Sequence, residues 1–122
     1  MSEKKYDLVD RLFKFAVDVI KFLRTIKTNE ETRIIKYQLA KSSSSSGANY
    51  EEAQGTITKA DFNNKAAVSL KEMRESNYWL RICQNLELGN KEFCTYLVNE
   101  STELKNILGS ITSQVSKNLR KK

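Results

Sequence analysis

Glu72, Glu75, Cys83, Cys94 and an abundance of serine are the side chains of this chain best suited to chemistry. Carboxylates on facing helices are the raw material of di-iron centres, but those centres complete their ligand set with Glu-x-x-His pairs. The chain holds no histidine, so neither Glu72 nor Glu75 can open a Glu-x-x-His pair. The cysteines meet the same shortage, because an ordinary structural zinc site takes four nitrogen or sulfur ligands. A serine nucleophile needs a base and a strained elbow, yet no Gly-x-Ser-x-Gly occurs and no imidazole is present to take the proton. Gly47, Gly55, Gly89 and Gly109 are isolated, and none opens a Gly-Lys-Ser/Thr phosphate loop. The expectation is a protein that is not an enzyme and uses no metal or other cofactor.

Binding chemistry is better represented. Asn49 and Glu52 share a helix face at i, i+3, and Asn77 interrupts an apolar stripe. Such residues can form a recognition site, or a hydrogen-bond cluster that fixes helix register as core polar residues do in coiled coils; the second use is expected here. Tyr78 and Trp79 lie inside a helical stretch, where packing is expected ahead of base stacking. Lysine and arginine total 21 against 15 acids, a net charge of +6. Residues 1–41 hold 10 basic and 6 acidic side chains, residues 42–91 hold 6 and 6, and residues 92–122 hold 5 and 3. Arg11, Lys14, Lys21 and Arg24 fall within about 140° on the polar side of the first helix. Lys117, Arg120, Lys121 and Lys122 form a basic end. These eight residues, read as unmatched by nearby acids, are the candidate contacts for RNA, DNA or an acidic partner protein.

Helices must position them. Val9, Leu12, Ala16, Val19, Leu23 and Ile26 recur at steps of three and four. Leu8, Phe13, Phe15, Ile20 and Phe22 widen that stripe until it covers about half the helix circumference. So broad a face predicts packing inside the bundle and against a neighbouring subunit. Thr28 or Asn29 caps a second helix, with Glu30 and Glu31 in its first turn and Ile34, Ile35, Tyr37 and Leu39 opening its apolar face. Residues 42–46 are all serine and Gly47 follows. Composition reads this run as a flexible linker. A continuous helix is the preferred reading, because small residues from 40 to 48 let another backbone approach closely.

Gly55 ends that helix, and Thr58 caps a third with Asp61 in capping-box position. Phe62, Ala66, Leu70, Met73, Asn77, Leu80 and Cys83 make its stripe. Gly89 stops it, Asn90 starts a fourth helix, and Phe93, Leu97, Leu104, Leu108, Ile111 and Val115 face the core with Ser101 between them. Four amphipathic helices joined by short connections predict an all-α, antiparallel, up-and-down four-helix bundle in a single domain, residues 1–122. Proline is absent and only four glycines occur, so little interrupts long helices. No signal peptide and no membrane span is expected, because charges break the stretch from Leu8 to Ile26. The expected address is the cytoplasm, with both thiols reduced.

Gly47-Ala48-Asn49 with Glu52-Ala53, Lys59-Ala-Asp-Phe62, Lys71-Glu-Met73 and Tyr78-Trp79-Leu80-Arg81-Ile82 stand in an order that resembles one family closely. Phe15-Ala16 in the first helix and Glu103-Leu104 with Ile107-Leu108 in the fourth extend the match over nearly the whole chain. It is the family of small bacterial four-helix-bundle proteins encoded in intervening sequences of 23S ribosomal RNA genes. The accessory variability determinant of diversity-generating retroelements looks like a relative. The resemblance implies a left-handed bundle assembling as a homopentamer, and the relative implies engagement of a reverse transcriptase and RNA. The serine run departs from the larger aliphatic and arginine residues that the family often has there.

Two functions follow as expectations. One is a non-enzymatic oligomeric accessory protein that binds nucleic acid, RNA foremost, through backbone charge repeated around a ring. The other is a structural adaptor ring that docks a partner protein, its basic residues serving solubility.

Overall fold

The computed structural model describes residues 2–120, with side chains described for residues 8–118. Four helices, α1 (Ser2–Leu23), α2 (Glu30–Ala53), α3 (Lys59–Asn85) and α4 (Lys91–Arg120), make up the fold, and no strand occurs among the described residues. They pack in a closed cycle: α2 against α1 and α3, and α4 against α3 and α1. Polar side chains set the helix starts. Asn29 rather than Thr28 caps α2: its side chain accepts from the Thr32 N–H at 2.9 Å, and the Thr32 hydroxyl accepts from the Asn29 N–H at 2.8 Å. Each bond satisfies a donor that the first helical turn leaves unpaired. Thr58 accepts from Asp61 N–H at 3.0 Å and Asn90 from Phe93 N–H at 2.8 Å.

The end of α3 differs from the expectation. The helix stops at Asn85, four residues before Gly89, because Glu87 takes a left-handed conformation with φ 54°. Leu88 N–H then reaches Cys83 C=O at 3.0 Å and Glu87 N–H reaches Gln84 C=O at 3.2 Å, closing the last carbonyls in a Schellman motif. Gly89 belongs to the following turn. Its φ is +67°, and a Cβ there would stand 2.5 Å from the Thr25 hydroxyl, so both conformation and space demand glycine.

The core is a single cluster built from one face of each helix. On α1 that face is centred on Leu8, Leu12, Phe15, Val19 and Phe22, while Val9 and Ala16 are only half buried. Met73, Leu80 and Cys83 of α3 and Leu97, Ser101, Leu104 and Leu108 of α4 are buried as expected. Two parts of the predicted apolar faces stay outside. Phe13 of α1 is 66% exposed, and of the four residues expected to open the α2 face only Ile35 and Leu39 are buried, whereas Ile34 and Tyr37 remain 60% and 64% exposed.

The serine run is helical throughout. Ser42, Ser43 and Ser46 are buried, and Ser44 points outward. The Ser42 hydroxyl pairs with that of Ser76 at 2.8 Å. Ser46 donates to the Ser69 carbonyl at 2.8 Å, and Ser69 donates back to the Ser46 carbonyl at 2.7 Å. Polar atoms buried between two helices are thereby satisfied reciprocally. Side chains this small bring the two backbones within reach of one another.

Candidate functional site

The predicted basic face of α1 splits in two. Arg11 makes a forked ion pair with Glu100, Nη2–Oε1 2.8 Å and Nε–Oε2 3.2 Å, and its Nη1 lies 3.3 Å from Glu103. The hydrogen bond to Glu100 is the chief reason its pKa is raised, and burial opposes it. Lys14 contacts Asp18 at 2.6 Å, which raises its pKa, and its ammonium stands 5.7 Å from the Tyr96 ring centre. The reading of these cations as unmatched by acids is therefore corrected for both: Glu100 and Glu103 come from α4, 89 and 92 residues away, and the sequence placed neither beside α1. Lys21 and Arg24 are exposed and form no ion pair with a described residue. Lys117 is exposed on α4. The side chain of Arg120, together with Lys121 and Lys122, lies outside the described residues.

The polar residues of the middle helices do not converge. Asn49 donates to its own helix, to Ser45 C=O at 2.9 Å and Ser45 Oγ at 3.1 Å. Glu52 pairs with Lys65 at 2.8 Å on the surface, an arrangement of small energetic weight. Asn77 is buried and links α3 to α4, its Nδ2 donating to Ser101 Oγ at 2.9 Å and Thr102 Oγ1 at 3.1 Å. Its Oδ1 accepts from Arg81 Nε at 3.0 Å. Of the three residues, Asn77 alone makes a buried interhelical bond that can fix register, since the link from Glu52 to Lys65 of α3 lies at the surface. The serine pairs across α2 and α3 do the rest, and the sequence reading passed them over.

Tyr78 and Trp79 stack edge to face, with centroids 5.6 Å apart. Trp79 packs on the core and donates to Glu75 Oε2 at 3.4 Å, while Tyr78 is half exposed beneath the Arg81 guanidinium. Cys83 and Cys94 are buried free thiols. Burial first, and the neighbouring Cys94 second, pushes the Cys83 thiol up to about 12, so it stays protonated and poorly nucleophilic. Among the described residues no three potential ligands gather to hold a metal ion.

Gly47 and Ala48 open a groove between α1 and α2 of about 400 Å³. Leu12, Phe13, Ala16, Val17 and Ile20 form its α1 wall. At Gly47 a Cβ would stand 3.3 Å from the Leu12 carbonyl oxygen, so the glycine is what lets the helices approach. Ile34 and Tyr37 prolong the α2 wall, lying on the same side of the helix as Ser44 and Ala48 by the helical repeat. Across the bundle, Lys117 lines a second groove with Arg74 and Lys105, residues not singled out from the sequence. The absence of any acid after Glu103 is a sign that could have found Lys105, while Arg74, between Glu72 and Glu75, carries no such sign.

Among the described residues no helix is long and apolar enough to cross a membrane. A search of functionally curated proteins finds no match. A solved structure from Bacteroides thetaiotaomicron, described as a protein of unknown function from the S23 ribosomal protein family, superposes with a TM-score of 0.77 at 31% sequence identity. The match covers 86% of this chain and 97% of that one. The four-helix cycle, the small-residue contact at Gly47 and the Tyr78-Trp79 block thus sit in a known architecture. The family model described as 23S rRNA-intervening sequence protein matches residues 4–110, and the chain belongs to that family.

Proposed function

We propose that this protein is a non-enzymatic accessory protein of the cytoplasm that assembles as a homopentamer and binds nucleic acid, RNA foremost, through a basic surface repeated around the ring. The subunit in this reading is an antiparallel, up-and-down, left-handed bundle. Contacts that run in opposite senses along neighbouring helices support the antiparallel part. Ser42, Ser46 and Tyr50 meet Ser76, Ser69 and Phe62 in turn. Phe22 meets Phe93 while Arg11 meets Glu100, and Asn77 meets Ser101 while Asn63 meets Ser116.

The observation that carries the reading is the exposed apolar wall of Phe13, Val17, Ile34 and Tyr37 on a chain of net charge +6. Contiguous apolar surface rimmed by polar residues marks an association site. Assembly through it would repeat each cation around a ring, so that weak phosphate contacts add into avidity. The adaptor reading keeps one observation in its favour: two of the four α1 cations are already engaged by acids.

Light scattering on the purified protein is expected to give about five times the 14.1 kDa chain mass. Phe13→Glu, a change at an exposed position, is expected to reduce the mass to that of one chain without unfolding it. A wild-type mass of one chain would end the assembly reading. Nucleic acid retained at low salt and released as salt rises supports the binding reading, since phosphate contacts weaken steeply with salt. Partner protein retained at high salt, with no nucleic acid at low salt, would put the adaptor in its place.

A further inference from the structure

We propose that the groove between α3 and α4 is the site that takes the phosphodiester backbone of RNA, with Arg74, Lys105 and Lys117 as its phosphate contacts. The proposal rests on the nucleic-acid reading above and moves the site off α1, to the side of the bundle across from the α1–α2 groove. The groove is open and measures about 720 Å³. Its lining joins those three cations to neutral donors, Asn106, Ser110 and Ser113, and contains no acid. None of the three cations makes an ion pair or hydrogen bond with a described residue, in contrast to Arg11 and Lys14. A cation with no ion-pair partner is attractive to an external anion, and several lining one groove focus the field along it.

Three further features favour a strand over a compact anion. Lys105 and Lys117 lie about 18 Å apart along α4 at the helical rise, a length that about five nucleotides cover at the axial rise of a duplex strand. Beyond Glu103 the chain carries no acidic residue, so nothing on that half of α4 repels a polyanion. Gly109 sits midway on the groove floor, and nothing lies within 4 Å of where its Cβ would be. Glycine weakens a helix interior, and here no neighbouring helix needs the space. Its effect is to leave the floor open to close approach. No aromatic ring lines the groove, so contacts fall on backbone phosphates and carry little sequence preference.

The test uses the full chain, a labelled single-stranded RNA of mixed sequence and fluorescence anisotropy between about 50 and about 200 mM salt. Replacing Arg74, Lys105 and Lys117 together by glutamine is expected to weaken binding at least about tenfold and to make the salt dependence shallower by about 2 in log–log slope. On the unmodified protein, RNA is expected to shield Lys105 and Lys117 from acylation by an N-hydroxysuccinimide ester while Lys27 still reacts; this readout stands even if the triple variant folds poorly. Loss of binding on Lys21→Gln with Arg24→Gln, with the groove variant unaffected and Lys105 and Lys117 unshielded, would overturn the groove while the nucleic-acid reading survives. Displacement of the RNA by polyglutamate at equal charge would assign the groove to acidic proteins and overturn it. Failure of the wild-type protein to bind any RNA at low salt would overturn both the groove and the reading beneath it.

Discussion

Between α1 and α2 the chain sets Gly47 against the Leu12 backbone and surrounds it with Phe13, Val17 and Ala48; between α3 and α4 it sets Gly109 over open space, beside Arg74, Lys105 and Lys117. Both glycines stand inside long helices, where the residue type is locally unfavourable. One is explained by a neighbour, the other by the lack of one. The first groove exposes apolar surface, and the second exposes charge with no ion-pair partner among the described residues. A glycine in a helix thus says little until its surroundings are known, and its surroundings here divide the molecule into an apolar side and a charged side.

The buried serine contacts between α2 and α3 hold those two sides in register, so breaking them is expected to have the largest effect. Ser46→Leu forces volume into a closed contact and removes a partner of Ser69. A loss of about 3 kcal/mol or more is expected in urea unfolding. Unchanged stability would mean that α2 and α3 do not meet there. Gly47→Leu comes next, with a cost of about 1–3 kcal/mol from pushing α1 away, read in the same titration and with a fall in assembled mass. Gly109→Ala should go the other way. With nothing near the new methyl group, it is expected to stabilise the helix by about 0.5–1 kcal/mol. Should Gly47→Leu prove neutral, or Gly109→Ala destabilising, the contrast between the two glycines would collapse.

Much of this architecture was legible because helix periodicity survives without tertiary knowledge. The α3 stripe from Ala66 to Cys83 and the α4 stripe from Leu97 to Leu108 were readable from spacing alone. The serine run was not readable from composition, which favours a linker; extending Ile35 and Leu39 by steps of three and four reaches Ser42, Ser46, Tyr50 and Ala53, all buried. Charge was the hardest part. Whether Arg11 is available depends on Glu100, 89 residues away, and no local pattern reports that distance. Arg74, Lys105 and Lys117 come together only once α3 and α4 pack. The acid-free stretch after Glu103 is a trace of Lys105 and Lys117 alone, whereas Arg74 lies between Glu72 and Glu75 and has none.

The serine contacts also carry a kinetic consequence. Serine and glycine are weak helix formers, since serine competes for backbone hydrogen bonds and glycine loses most conformational freedom. The middle of α2 therefore has little tendency to be helical in isolation, and nucleating a helix there is costly. Its buried hydroxyls at Ser42 and Ser46 meet their partners on another helix at Ser76 and Ser69 of α3. Helicity in α2 and docking onto α3 become one event, and the short connection between the two helices keeps loop closure inexpensive. Any agent that separates α3 from α2 would unwind the centre of α2 as it does so, making this pair a cooperative folding unit rather than two prefabricated rods.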